Sequence, residues 1–223
     1  MSVRARLLLS SIFALCASPA SARLDDEQLW LQVNSTVPVT DRFRVTLEQI
    51  ARVGDRTNGL YETEIGALLK YRLTKHLEFG FGYRHVNAFN GNRASDEDRF
   101  RQQIIGTWGP LMLRFRIDDR INPRGNEIGF RIRPLVRINH KLNDRGLGAF
   151  AMHETFYLAN DTNWGQRRGF ERMRNAVGLT LPLSKRVNAD VAYLNQYRFG
   201  RFGAQAQMAH ALSVQMNITL PKL

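Results

Sequence analysis

Apolar and polar residues alternate with a period of two through segment after segment of this chain. In Leu60–Leu73, the residues Tyr61, Thr63, Ile65, Ala67, Leu69, Tyr71 and Leu73 share one face. Glu62, Glu64, Gly66, Lys70 and Arg72 share the other, with Leu68 the exception. Successive side chains of a strand point to opposite faces, so each such segment wants one apolar and one polar environment.

The same reading gives eleven candidate strands: 28–39, 42–53, 60–73, 77–85, 99–108, 111–119, 127–139, 147–157, 170–183, 187–199 and 205–220. The segment 99–108 is poorer in pattern, and 147–157 is partly apolar on both faces. Pro134 interrupts the apolar face of the seventh and suggests an edge or bulge. No stretch reads as a helix able to cover these faces. The pattern therefore predicts an all-β fold, an antiparallel up-and-down transmembrane β-barrel with a lipid-facing outside and a polar lumen. The rival is a soluble β-sandwich or small barrel with its apolar faces inward.

Connection lengths alternate too. Short ones fall at Thr40-Asp41, Thr74-Lys75, Gly109-Pro110 and Ser184, with 139–146 the longest of that set. Longer ones fall at 54–58, 87–98, 121–126, 158–168 and 200–204. Bacterial outer-membrane barrels show this asymmetry and carry even strand numbers, so ten or twelve strands are expected, with one missing near 23–30. Tyr61, Tyr71, Tyr83, Trp108, Tyr193 and Tyr197 fall near strand ends, where aromatic girdles would lie.

The N-terminus changes the picture by assigning a compartment. Arg4 and Arg6 precede a short apolar run, Leu7–Ala17, and the small residues 18–22 follow. This reads as a signal peptide over 1–22, cut after Ala22, with a single β-barrel domain over 23–223. The run is too short for a spanning helix, which needs about 20 residues. Cys16, the only cysteine, lies inside the signal. Leu15 before it is too large for a lipoprotein site, so no lipid anchor, disulfide or zinc–thiolate site is expected. The outer membrane of a Gram-negative bacterium is the expected location, the periplasm the alternative.

The formal charge is +12, and taking Arg4 and Arg6 from it leaves +10. A pI near 10.6 would normally raise nucleic acid as a partner, but export excludes it. The expected partners are outer-membrane lipid, lipopolysaccharide and the barrel-assembly machinery. On the polar faces lie Glu62, Glu64, Glu78, Arg84, Arg114, Arg116, Arg131, Arg133, Arg137, Arg172, Arg174, Asp190 and Arg198, the predicted lumen lining, joined by Asp118 and Glu127. Three roles are open to them: paired charges that close the lumen, tuning of an anion-selective pore, or bidentate anion binding.

Catalytic chemistry finds little support. His153 and Glu154 are adjacent and His210 and Ser213 three apart, so each pair falls on opposite faces of a strand. No serine sits in a nucleophile elbow, and no metal motif is present. No catalytic residue, metal or cofactor is expected. In Gly80-Phe81-Gly82 the glycines make room for a neighbour's bulk.

Trp30, Leu47-Glu48-Gln49, Gly80-Phe81-Gly82-Tyr83-Arg84, the Arg114/Arg116 and Arg131/Arg133 pairs, Tyr193 and His210 together resemble the domain-of-unknown-function 2490 family. The resemblance spans nearly all of the chain after the signal. It implies a β-rich outer-membrane or periplasmic protein and brings no activity or active site. The combined expectation is a structural or weakly pore-forming outer-membrane barrel. The alternatives are a soluble periplasmic binder of an anionic or lipidic ligand and, third, a lipid-modifying enzyme.

Overall fold

In the computed structural model, residues 24–89 and 96–222 are described. The signal read over 1–22 lies outside them. The strands are β1 (Leu24–Pro38), β2 (Phe43–Gly54), β3 (Gly59–Arg72), β4 (Leu77–Ala88), β5 (Glu97–Trp108), β6 (Leu111–Ile121), β7 (Gly129–Lys141), β8 (Gly148–Leu158), β9 (Gly169–Pro182), β10 (Val187–Arg198) and β11 (Gln207–Thr219). Each pairs with its sequence neighbours, and β1 pairs with β11 to close one barrel.

Among the described residues the strands number eleven, not the ten or twelve expected. An up-and-down barrel with an odd count must close on two strands running the same way, and β1 and β11 do so in parallel from Leu24↔Gln207 to Thr36↔Thr219. A parallel ladder is only slightly less stable per residue than an antiparallel one. The segment near 23–30, where a further strand was expected, is part of β1 from Leu24 on.

Three of the short turns use one device. Thr40 Oγ1 accepts from the amides of Arg42 and Phe43, Thr74 Oγ1 from those of His76 and Leu77, and Ser184 Oγ from that of Arg186. The hydroxyl satisfies amides that the reversing chain takes out of the ladder. At Gly109–Pro110 the turn needs φ +55°, which glycine takes without strain. The opposite end carries longer connections, up to residues 159–168.

The ladders are interrupted at three places, one of them a register shift between Phe156 and Tyr157 on β8 that skips Glu171. A register shift between Arg52 and Val53 on β2 swings Tyr61 inward, where its hydroxyl donates to Gln28 Oε1 at 2.8 Å. Tyr61 therefore belongs to the lumen, not to the outer girdle expected for it. Pro134 has no amide to give, and the β7–β8 ladder skips from Ile132↔Tyr157 to Leu135↔Glu154. The seventh and last strands also begin later than predicted, at Gly129 and Gln207.

The outer face carries many exposed apolar side chains alongside outward polar pairs such as His85–Asp98 and Gln102–Asp119. Leu47, Ile65, Ile138, Val177 and Leu212 are each more than half exposed. The packed core is the lumen itself. Every strand supplies a buried inward residue: Trp30, Glu48, Glu64, Arg84, Arg101, Asp118, Arg131, Glu154, Ala176, Leu194 and Ala211. Glycine permits close approach: a Cβ on Gly82 would lie 2.6 Å from the Ala67 carbonyl and 3.1 Å from Arg101 Nη2.

Candidate functional site: the arginine-rich lumen

Strands β2 to β7 carry most of the inward charge. Because alternate residues of neighbouring strands fall in register, their arginines and carboxylates meet in rows across the wall. Arg84, Arg99 and Arg120 form one such row over β4, β5 and β6. Three like charges in line would repel, so carboxylates from rows above and below reach between them.

The result is a continuous network. Glu64 receives Arg52 at 2.9 Å and also Arg84, while Glu48 receives Arg84 at 2.8 Å and also Arg101. Glu97 is shared by Arg99 and Arg120, the latter through two bonds of 2.6 and 2.9 Å. Asp118 Oδ2 accepts from Arg131 at 2.7 and 3.0 Å and from Arg133 at 3.1 Å. Arg133 continues to Glu154 at 2.8 Å, where Arg114 also arrives. Asp118 is 0% exposed and Arg101 1% exposed.

Strands β8 to β11 and β1 present a different wall. Trp30, Phe150, Ala176, Ala192, Leu194 and Ala211 form its buried apolar cluster. Arginines reach across and lie on its rings. Arg52 and Arg174 sit 4.3 and 4.6 Å from the Trp30 centroid, Arg133 4.4 Å from Phe156, and Arg137 3.7 Å from Phe150. Aromatic faces attract guanidinium, so the apolar wall still holds charge.

Above this network, at the long-connection end, a cavity of about 560 Å³ opens. Its rim comes from Leu24, Arg56, Thr57, Ala204 and Gln205. The 159–168 loop folds against one side. Gln166 accepts from Arg120 Nη1 at 2.8 Å, and Trp164 Nε1 donates to the Glu127 carbonyl at 2.7 Å.

All thirteen residues predicted to line the lumen stand on inward strand positions, but they do not form one group. Glu62, Glu64 and Arg84 join Arg52 and Glu48. Arg114, Arg131 and Arg133 meet at Asp118 and Glu154. Arg116 binds only Gln103 Oε1, at 2.7 and 2.9 Å. Lower in the barrel, Glu78 pairs with Arg44, and Arg137 with Asp190 at 2.7 Å. Arg172, Arg174 and Arg198 cluster near the cavity.

Glu127 is not on the inner face. It precedes β7, and its Oε2 accepts from the Asn163 amide at 2.5 Å. The network's Glu48, Arg52, Glu97, Arg99, Arg101, Arg120, Glu154 and Glu171 lie outside the predicted lumen lining; Glu97, in a run that reads as solvated loop, is buried on β5. Period-two spacing from Arg99 through Arg101 to Gln103 carried the signal. The outward Asp98 and Gln102 masked it, each satisfied on the outer face by His85 and Asp119. His153 and His210 also face outward, bonded to Asn175 at 2.7 Å and Tyr193 at 2.6 Å. Glu154 and Ser213 face inward, away from them.

The family "Protein of unknown function (DUF2490)" matches residues 27–207, and the chain belongs to it. An uncharacterized protein of Methylorubrum extorquens, MexAM1_META1p0181, is 30% identical over 201 residues, covering 86% of this chain and 88% of that one. Among solved structures, outer-membrane expressed OmpT of Vibrio cholerae aligns at 13% identity with a TM-score of 0.39. That alignment covers 78% of this chain and 61% of OmpT, so the chain spans about three fifths of that structure's length.

Proposed function

We propose that this member of the DUF2490 family is an integral outer-membrane barrel, sealed at mid-height and open as a blind vestibule at the long-connection end. It works as a fixed structural or receptor element, without catalysis, and not as an open pore. The carrying observation is the contrast across the wall. Each strand contributes a buried inward residue, while exposed apolar residues such as Leu47, Ile65, Leu113, Ile138, Val177 and Leu212 stand on outward positions. Bilayer hydrocarbon accepts the outer face, and ion pairing satisfies the inner one. The long connections would face the cell exterior, as outer-membrane barrels of this build arrange them.

Fractionation of the native host tests the placement. The protein should appear in the outer-membrane fraction and shift on gels with boiling; recovery in the soluble periplasm sinks the reading. Planar bilayer recordings test the seal. Purified protein should give no sustained conductance, and steady open channels would return the pore to first place.

A further inference from the structure

The vestibule holds more positive charge than the fold neutralises. Ten arginines line it against four carboxylates, and its volume falls in the range of small-molecule sites. Most of those arginines belong to the network below. Arg198, the last residue of β10, does not: its side chain makes no hydrogen bond or ion pair with a described residue. In the ladder it stands directly opposite Arg172. Like charges in that position destabilise a sheet.

Arg172 is held by Glu171, but its Nε is buried without a hydrogen-bond partner. Arg174, two positions along, donates to Gln196 at 2.8 Å and has its nearest carboxylate, Glu154, only at 3.9 Å. Arg52, which shares the Trp30 ring with Arg174, also has an unpartnered buried Nε. Three guanidiniums from two adjacent strands thus stand where only Glu171 beside Arg172, and Glu154 at 3.9 Å from Arg174, supply carboxylates among the described ion pairs. Packing alone gives no reason for Arg198, since a glutamine there would remove the repulsion and keep the polar face.

We infer that the vestibule is a binding site for a polyvalent oxyanion of the phosphate class, held by Arg172, Arg174 and Arg198. The inference deepens the sealed-vestibule reading and rests on it for the blind floor of the site. Guanidinium forks match phosphate oxygens two at a time, and several forks favour a ligand with several acceptors over a monatomic anion. The apolar wall beneath lowers the local dielectric and strengthens each bond. The same chemistry is carried by a soluble phosphorylated solute and by a phospholipid headgroup reaching over the rim.

The test uses the folded full chain in detergent micelles, with calorimetric titration of inorganic pyrophosphate at fixed ionic strength. A parallel series replaces pyrophosphate with micelle-borne phosphatidic acid. Saturable binding of either supports the site and identifies its source as solute or lipid. Arg198→Gln should weaken that binding about tenfold or more, the worth of a lost charge-assisted bond. Its boil-shift should be unchanged, because Arg198 holds nothing in the fold. Arg145→Gln, at the opposite end, should leave binding as it was. Binding of neither probe, equal competition by chloride, or indifference to Arg198→Gln each overturns the inference. Conductance is read separately: a barrel that conducts yet binds loses only the sealed reading, and one that stays closed without binding loses only this one.

Discussion

The two halves of the inner wall solve the same problem in opposite ways. From β2 to β7 the lumen is filled mainly by paired charge; from β8 round to β1 rings and small apolar side chains predominate, with Glu154, Arg172 and Arg174 among them. The apolar half is ordinary packing, tolerant of similar shapes and sensitive to lost volume. The charged half depends on every partner being present. Removing one member strands the others without water or counter-charge. A barrel core can therefore be polar and still close-packed, provided no charge is left alone.

The largest expected break is Asp118→Leu, which leaves Arg131 and Arg133 without their shared acceptor in a fully buried position. A loss of about 3–5 kcal/mol is expected. The measurement is urea titration of the folded, boil-sensitive band. Replacing Asp118, Arg131 and Arg133 together by apolar residues of similar size should recover most of that loss. If the triple variant is as unstable as the single one, the pairing contributes stability of its own rather than merely avoiding stranded charge.

Next comes the outer face. Leu69→Arg should cost about 2–4 kcal/mol near mid-depth of the bilayer and less toward the interfaces. Arg72→Leu, an exposed residue at the short-turn end of the same strand, should leave insertion intact. Equal tolerance of both in folded protein would mean the bilayer does not meet this face. Gly82→Ala should follow at about 1–3 kcal/mol, since the added Cβ meets a backbone carbonyl that cannot step aside.

The barrel itself was readable because period-two alternation and connection length are both local properties of the chain. Strands β3, β4 and β6 have clean apolar outer faces, and their polar faces were assigned residue by residue. Three things were not local. The closure of β1 on β11 depends on the ends of the barrel meeting, and an even-number rule drawn from other barrels overrode the count of eleven. Tyr61 turned inward because of one register shift, invisible in its own segment. Strand β5 looked irregular because Asp98 and Gln102 point outward, a cost lifted only by His85, Tyr83 and Asp119 on neighbouring strands. The inner face was legible as basic and acidic positions. Which arginine meets which carboxylate was not, because each pair joins strands up to several turns apart in sequence, such as Arg101 with Glu48. For the same reason Arg198 looked like its neighbours until the ladder placed it opposite Arg172 without a carboxylate of its own.

The smallest predicted effect is the most discriminating for the two-wall comparison. Trp30 is where the halves touch. Its Nε1 donates to Gln28 at 2.6 Å, and Arg52 and Arg174 lie over its ring. Trp30→Phe keeps a ring for both guanidiniums and loses the hydrogen bond, so it should cost about 0.5–1.5 kcal/mol. Trp30→Leu removes the ring as well and should cost about 1–2 kcal/mol more than the phenylalanine variant, the worth of two partly desolvated cation–π contacts. The same urea titration resolves the difference. If leucine and phenylalanine cost the same, the arginines gain nothing from the ring, and the apolar wall contributes only volume. If leucine costs more, that wall also binds cations, and the lumen is a single electrostatic system with aromatic faces taking the place of carboxylates on one side.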